Sequence, residues 1–159
     1  MKHTRYVTQA ALIAALYVVL TYLAAAMGLS SGIIQIRFSE ALTILPYFMS
    51  SAVPGLFVGC ILANLLTGCA LWDIIFGSIA TLMGAVITYL LRDKNKFLAP
   101  VAPILSNTII VPFVLKYVYG MSGGLPYFFL TVFIGEVLSC GVLGMILLYS
   151  LEKHKKYLK

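Results

Sequence analysis

The chain contains long apolar segments, and their length decides what it can fold into. A helix needs about 20 residues to cross the roughly 30 Å of hydrocarbon in a bilayer. Residues 7–27, 72–91, 98–119 and 126–151 all reach about that length. Hydrophobic residues make up 62% of the 159 residues and charged residues only 10%, which is more apolar surface than a soluble domain of this size can bury. The sequence therefore predicts an all-α, multi-pass protein of the cell membrane, with one domain over residues 1–159.

Most of the 11 Lys and Arg residues lie in three short clusters at the ends of these segments. The clusters are Lys2 and Arg5; Arg92, Lys94 and Lys96; and Lys153, Lys155, Lys156 and Lys159. The positive-inside rule places all three in the cytoplasm and leaves Arg37 and Lys116 for the opposite side. The net charge of +6 therefore reflects orientation in the membrane, and we expect no nucleic-acid partner. Both termini are predicted to be cytoplasmic.

An even number of crossings returns both termini to the cytoplasm, and the sequence predicts six helices. They cover residues 7–27, 39–50, from the turn at 50–55 to about 66, 72–91, about 98–119 and about 126–151. The second helix is short and is bent or broken at Pro46, where a backbone hydrogen bond is lost. Pro112 is expected to kink the fifth helix for the same reason.

No catalytic or metal-binding motif is present in the sequence. Cys60, Cys69 and Cys140 stand singly in apolar surroundings without CxxC spacing, so they are predicted to be packing residues. Both histidines, His3 and His154, lie in terminal tails. The phosphate-binding Walker A loop and the HExxH and GxSxG motifs are absent. We therefore expect no enzyme activity, cofactor or metal site in this chain.

Polar side chains gather in the outer half of the predicted bundle. Glu40 and Asp73 begin helices at the outer face, whereas Glu136 lies about 15 Å into the sixth helix and Asn107 reaches a similar depth. The other substrate-binding candidates near the outer interface are Arg37, Asn64, Trp72, Lys116 and Tyr127. A charge in hydrocarbon costs roughly 2.5–3.5 kcal/mol unless it has a partner, a wet cavity or a ligand. Because the inner half holds almost no such groups, the pattern predicts an outward-facing substrate pocket rather than a pore.

The deeper of these residues also have a purely structural interpretation. Arg37 and Glu40 can pair across a single helical turn. Asp73 would be favoured by the dipole at a helix start, and Asn107 by hydrogen bonds between helices. Glu136 can be a protonated or helix-bonded structural carboxyl. The sequence leaves these alternatives open beside the pocket.

Small residues repeat at helical spacing along two of the predicted helices. The pairs are Ala10 and Ala14, Ala11 and Ala15, and Gly55 and Gly59. Such pairs let helix backbones approach closely, so packing inside the protein is the simplest explanation. The first helix is otherwise almost free of polar groups, and its alanines are the better candidates for docking another protein.

Three segments of the sequence are similar to those of a known family. They are IRFSEALTILP at residues 36–46, VPGLFVGCILANL at 53–65 and LWDIIFGS at 71–78. Gly135, Glu136 and the small-residue first helix fit the same pattern. With these motifs the chain resembles the QueT family over nearly its whole length. Members of that family are substrate-binding S components of energy-coupling factor (ECF) transporters.

The resemblance implies a six-helix S-component bundle that captures a queuosine precursor, 7-aminomethyl-7-deazaguanine. It implies as partners a membrane T component and two cytoplasmic ATPases, which supply the energy for uptake. In such transporters the Ala-rich face of the first helix docks the T component. In this sequence that face corresponds to Ala10, Ala11, Ala14 and Ala15.

The chemistry of this ligand suits the acidic residues of the sequence. A deazaguanine edge offers N–H donors that one carboxylate can accept in pairs, and its O6 needs a donor such as an amide. We therefore expect Glu136 and Asn107 to hold the base edge, and Glu40 or Asp73 to hold the ammonium group. An S component for another vitamin or nucleobase is an alternative. A stand-alone secondary transporter is a weaker one, because its coupling groups would extend through the inner half.

The charge clusters generate a topology prediction. In a background without the native cysteines, a cysteine at Lys94 or Lys156 should be shielded from impermeant reagents added outside intact cells, because both positions lie in cytoplasmic clusters. A cysteine at Gly123 should be labelled, because it lies in an outer loop. Labelling at position 94 from outside would contradict the six-helix count.

Overall fold

Helices account for all the regular secondary structure in the described part of the chain, residues 2–30 and 34–153 of a computed structural model. The α-helices are α1 Lys2–Ala26, α2 Ala52–Leu66, α3 Leu71–Leu91, α4 Val101–Tyr117, α5 Leu125–Glu136 and α6 Gly144–Glu152. The remaining elements are the 3-10 helices Phe38–Tyr47 and Lys96–Leu98 and the π-helix Val137–Leu143. The prediction of an all-α protein is confirmed. The predicted tail residues His154, Lys155, Lys156 and Lys159 lie outside the described residues.

Within residues 2–30 and 34–153, four helical stretches are long and apolar enough to cross a membrane. They are His3–Ala26, Leu71–Leu91, Lys96–Tyr117 and Leu125–Glu152, the last of which runs through α5, the π-helix and α6. These stretches define a multi-pass membrane protein, as predicted. The helix α2 is apolar but has 15 residues, and the 3-10 helix before it has 10. Both are therefore shorter than the usual span of about 20 residues.

The 3-10 helix Phe38–Tyr47 lies inside the bundle and replaces the predicted helix at 39–50. It contacts α1, α2, α3, the π-helix and α6, and Ser39, Glu40 and all residues from Leu42 to Pro46 are buried. The polar members of this buried set, Ser39, Glu40 and Thr43, all take part in hydrogen bonds, as buried polar groups must. Pro46 has no N–H to continue a regular helix, and the element ends one residue later. This central helix carries Glu40 into the interior.

Small residues allow α1 and α2 to pack closely. A Cβ placed on Gly55 would lie 2.7 Å from the carbonyl oxygen of Ala10, and one on Gly59 would lie 3.0 Å from the Cα of Ala14. Ala14 is correspondingly only 7% exposed. One alanine pair of α1 therefore packs inside the protein. The neighbouring pair, Ala11 and Ala15, is exposed.

A polar cavity lies at the end of the 3-10 helix that is opposite to Glu40. It has a volume of about 360 Å³, and its walls include Tyr6, Gln9, Ser51 and Arg92. Between this cavity and Glu40 the 3-10 helix carries the buried side chains of Leu42, Thr43, Ile44 and Leu45. The apolar members of this set belong to the main hydrophobic core. The two polar ends of the bundle are therefore separated by packed apolar side chains.

Candidate functional site

A small polar cavity, here called the inner cavity, lies between the 3-10 helix, α3, α4 and α5. Its volume is about 40 Å³, which is enough for a few water molecules. Its walls are formed by Gln35, Arg37, Glu40, Asp73, Gly77, Thr81, Asn107, Val111, Leu115, Thr131, Val132 and Glu136. The structure therefore brings five predicted binding residues together, namely Arg37, Glu40, Asp73, Asn107 and Glu136.

A larger cavity of about 490 Å³, here called the outer cavity, adjoins the inner one. The two share the walls formed by Gln35, Arg37, Asp73, Val111 and Leu115. The outer cavity also reaches Cys69 and Met121, in the connections that follow α2 and α4. These connections belong to the predicted outer face. We therefore expect a substrate to reach the inner cavity from outside through the outer cavity.

Glu40 is held by donors from two different helices. Its Oε1 accepts a hydrogen bond from the Tyr17 hydroxyl of α1 at 2.5 Å, and its Oε2 accepts one from Asn107 Nδ2 of α4 at 3.4 Å. Glu40 is 3% exposed and Tyr17 is 1% exposed. A buried carboxylate needs such partners, because water cannot solvate it there. The relative positions of α1 and α4 therefore set the position of this carboxylate.

Asn107 joins Glu40 to a second acidic side chain. Its Nδ2 also donates to Glu136 Oε1 at 3.0 Å, while Glu136 Oε2 lies 3.2 Å from Cys140 Sγ. Two carboxyl groups from separate elements thus share one amide group. Within the described residues, no Lys or Arg forms an ion pair with either of them.

Gly135 brings the segment before the 3-10 helix onto α5. A Cβ at this position would overlap the carbonyl oxygen of Gln35, so a larger residue would push the two elements apart. The backbone N–H of Arg37 also donates to Ser139 Oγ at 3.2 Å. Gly135 and Glu136 therefore place a carboxyl group beside the segment that lines both cavities.

Asp73 is held at the junction of the two cavities. Its Oδ2 accepts a hydrogen bond from the Tyr119 hydroxyl at 2.8 Å, and the same hydroxyl accepts one from the Ala70 N–H at 3.2 Å. Burial, together with the bond to Asp73, raises the pKa of Tyr119, so the phenol remains a donor. Asp73 is 6% exposed. Its side chain makes no hydrogen bond that caps α3, and it is fixed instead by the segment that follows α4.

Arg37 and Glu40 form no ion pair within the described part of the chain. The sequence allowed this pair as one explanation of both charges, but Glu40 bonds to Tyr17 and Asn107 instead. Arg37 lines both cavities. The inner cavity is thus lined by one cationic side chain and three acidic ones, which favours a ligand that carries positive charge and hydrogen-bond donors.

Four of the predicted binding residues lie away from the inner cavity. Asn64 lines the outer cavity. Trp72 is 55% exposed and stacks on Phe76, and Tyr127 is 45% exposed. Lys116 Nζ donates to the carbonyl oxygen of Gly123 at 2.8 Å and so tethers the segment after α4. Neither cavity has Trp72, Lys116 or Tyr127 in its walls.

Several residues of the site were not among the predicted ones. They are Gln35, Tyr17, Thr81, Tyr119, Thr131 and Cys140. Tyr17 was visible in the sequence only as one of the few polar residues on the first helix. Cys140 was predicted to be a packing residue; it is fully buried, and its thiol also meets the Glu136 carboxyl group. The contact of Tyr17 with Glu40 cannot be derived from spacing, because it joins elements that are distant in sequence. Glu136 and Cys140 are four residues apart, and this helical spacing was a signal for their contact.

The cluster of Glu40, Glu136 and Cys140 is dense enough for a metal ion, since the three ligand atoms lie within 4.8 Å of one another. The atoms concerned already take part in hydrogen bonds with Tyr17, Asn107 and each other. The three side chains therefore form a hydrogen-bonded cluster.

The fold and the cavities together define an all-helical, multi-pass membrane protein with a polar site among its helices. A family model described as QueT transporter matches residues 7–153. The chain therefore belongs to the QueT transporter family, as its motifs suggested.

One curated relative is the protein named "Queuosine precursor transporter QueT" from Lactococcus lactis subsp. cremoris (strain MG1363). It is 36% identical over 87 residues, which are 54% of this chain and 50% of the relative. The match thus spans half the length of that relative. No solved structure matches the chain.

The bond between Tyr17 and Glu40 generates a stability prediction. Tyr17→Phe keeps the buried ring but leaves Glu40 Oε1 without its donor, which should cost about 1–3 kcal/mol. Thermal unfolding of the purified protein in detergent should therefore begin at a lower temperature. Tyr22→Phe is the matched control, because Tyr22 lies on the same helix and is 61% exposed. Equal stability of the two variants would contradict a structural role for the bond.

Proposed function

We propose that this protein is the substrate-binding S component of an ECF-type importer. It would capture a queuosine precursor, 7-aminomethyl-7-deazaguanine, outside the cell membrane for ATP-driven uptake by a T component and two cytoplasmic ATPases. Membership of the QueT transporter family and the relative named as a queuosine precursor transporter support the proposal. In this proposal the chain is one domain with six crossings and both termini in the cytoplasm.

The observation that carries the proposal is the pair of carboxyl groups bridged by Asn107. The pyrimidine edge of a deazaguanine presents adjacent N–H donors beside the O6 acceptor, and a carboxylate next to an amide complements this pattern. We propose that Glu136 accepts the donors of the ligand and that Asn107 turns toward O6 the N–H that it otherwise donates to Glu136. Both carboxyl groups accept from Asn107, but the second donor is the Tyr17 hydroxyl for Glu40 and only the weak thiol donor of Cys140 for Glu136. Glu136 is therefore the better acceptor.

The ammonium group of the ligand requires a second acidic residue. Both oxygens of Glu40 are engaged by internal donors. Asp73 bonds to Tyr119 through Oδ2, and its Oδ1 lies beside Gly77 in the wall of the inner cavity. We therefore propose Asp73 as the partner of the ammonium group. This choice orients the base edge inward and the aminomethyl group toward the junction with the outer cavity.

The size of the inner cavity determines how such a ligand would enter. A volume of about 40 Å³ is far below the roughly 300 Å³ at which typical ligand pockets begin. The outer cavity, at about 490 Å³, is large enough. We propose that the segment containing Gln35 and Arg37, which forms a wall of both cavities, moves away from Gly135 to join them.

Two alternatives to the proposed function would have different observable consequences. An S component for another vitamin or nucleobase would keep the fold and the partners but prefer a different ligand in a binding panel. A stand-alone secondary transporter would need ionisable groups that lead inward from the site. Instead, buried Leu42, Ile44 and Leu45 separate the site from the polar cavity at the other end of the 3-10 helix, whose walls include Tyr6 and Arg92. This separation favours a binding component that depends on partners for transport.

Glu136 generates the main test of the ligand assignment. Glu136→Gln keeps the shape but places an NH₂ donor against the donors of the ligand. The lost charge-assisted pair should cost roughly 2–4 kcal/mol, or about thirtyfold to several hundredfold in affinity for 7-aminomethyl-7-deazaguanine. Calorimetric titration of the purified variant measures this loss. Thermal stability without ligand should hardly change, because the amide can still bond to Asn107 and Cys140. Unchanged affinity would make Glu136 a structural residue and move the site to Asp73 and the outer cavity.

The exposed alanines of α1 generate a test of the proposed partners. Ala11→Leu or Ala15→Leu should abolish uptake in cells, because a bulky side chain would hold the T component away from α1. Ligand binding by the isolated protein should remain nearly unchanged, since both residues lie on the exposed side of the helix.

The other alanine pair provides the control for that test. Ala14→Leu should lower thermal stability and not only uptake, because Ala14 packs against Gly59. Of the four alanines predicted to dock the T component, we therefore propose Ala11 and Ala15 as the direct contacts, with Ala10 and Ala14 as the support behind them. Uptake that persists in cells lacking any ECF module would favour a stand-alone carrier.

A further inference from the structure

The hydrogen-bond network around Glu136 has a place for a proton. Cys140 Sγ lies 3.2 Å from Glu136 Oε2, 3.4 Å from the Glu40 carbonyl oxygen and 3.4 Å from Thr43 Oγ1. A thiol has one proton to donate, but its sulfur can also accept. If Glu136 carries a proton on Oε2, its O–H donates to Cys140 Sγ, and the thiol donates to the Glu40 carbonyl oxygen. Every polar atom in this series of hydrogen bonds, from Glu136 through Cys140 to the Glu40 carbonyl oxygen, then has a partner.

The neighbouring carboxyl group is a poor place for the same proton. Glu40 Oε1 accepts from the Tyr17 hydroxyl, and Glu40 Oε2 accepts from Asn107 Nδ2. Both carboxyl oxygens of Glu40 therefore already accept hydrogen bonds, and a proton on either one would face another donor. Asn107 also donates to Glu136 Oε1, which leaves Oε2 as the carboxyl oxygen that can carry a hydrogen.

The charges around the pair favour a single negative charge on it. The titratable groups near the pair are Tyr17 of α1, Cys60 of α2, Asp73 of α3, Cys140 of the π-helix, and Arg37 in the segment before the 3-10 helix. The helix α4 contributes the uncharged Asn107. Two like charges so close together oppose each other's ionisation, and Arg37 forms no ion pair with either within the described residues.

We propose that Glu136 holds a proton in the substrate-free protein and that capture of the cationic base releases it. This inference rests on the proposed function. Without ligand, the charges of Arg37, Asp73 and Glu40 sum to one negative charge. A ligand with one positive charge, bound to ionised Glu136, leaves the same sum. The exchange therefore keeps the net charge of a buried site constant, which avoids the cost of burying an additional charge.

The direction of the pH dependence follows from this exchange. Because binding releases a proton, a rise in pH favours the complex. Affinity should increase by up to about tenfold per pH unit while Glu136 is protonated in the free protein, and it should level off once Glu136 is ionised there.

Calorimetric titration of the purified protein with 7-aminomethyl-7-deazaguanine tests the inference. Titrations at one pH in buffers with different ionisation enthalpies give the number of protons released per ligand bound. The expected value is close to one when the solution is mildly acidic. Binding with no dependence on the buffer would overturn the proton exchange and leave the proposed function standing. Absence of binding in every buffer would overturn both.

Two variants locate the proton. Glu136→Gln imitates the protonated side chain, so its residual binding should release no proton. Asp73→Asn should weaken binding but release the same number of protons as the parent protein, because Asp73 lies at the outer end of the inner cavity. If release persists in Glu136→Gln and disappears in Asp73→Asn, the proton belongs to Asp73 and the inference is wrong.

Discussion

The arrangement of polar side chains inside this protein depends on the two hydrogen bonds that the Asn107 amide donates to carboxyl groups. In hydrocarbon surroundings a carboxyl group must find its partners within the protein. Asn107 donates hydrogen bonds to Glu40 and Glu136 at the same time. The three residues lie on α4, the 3-10 helix and α5. Because the two carboxyl groups share one donor group, a change at either of them alters the other. A network of this kind fixes the relative positions of α4, α5 and the 3-10 helix.

Close backbone contacts make this network possible. Gly59 lets α1 approach α2, and Gly135 lets the segment around Gln35 lie directly on α5. The first contact positions Tyr17 against Glu40, and the second places Arg37 in the wall of the cavity that Glu136 also lines. In a membrane, where apolar side chains gain little by leaving lipid for protein, such close packing supplies much of the attraction between helices. Small residues therefore do more than fill space here, since they set the geometry of the site.

The helix α1 connects the site with the surface where we propose that a partner docks. Tyr17 points into the bundle and bonds to Glu40, whereas Ala11 and Ala15 are exposed on the same helix. A partner that shifts α1 would act directly on the Tyr17 hydroxyl bond. The hydroxyl bonded to Glu40 and the proposed docking surface thus belong to the same helix.

The sequence by itself determined the features that follow from composition and local spacing. Apolar length predicted the membrane class and the long spans. The rarity of polar side chains in the apolar segments singled out Glu40, Asp73, Asn107 and Glu136, because each would be costly in lipid without a partner. The contacts between side chains of different elements could be identified only in the folded protein. The contact between Tyr17 and Glu40 joins residues on different elements, and hydropathy does not encode the rotation of one helix against another. For the same reason, the sequence showed four equivalent alanines on α1, whereas in the fold Ala10 and Ala14 pack against α2 and Ala11 and Ala15 are exposed.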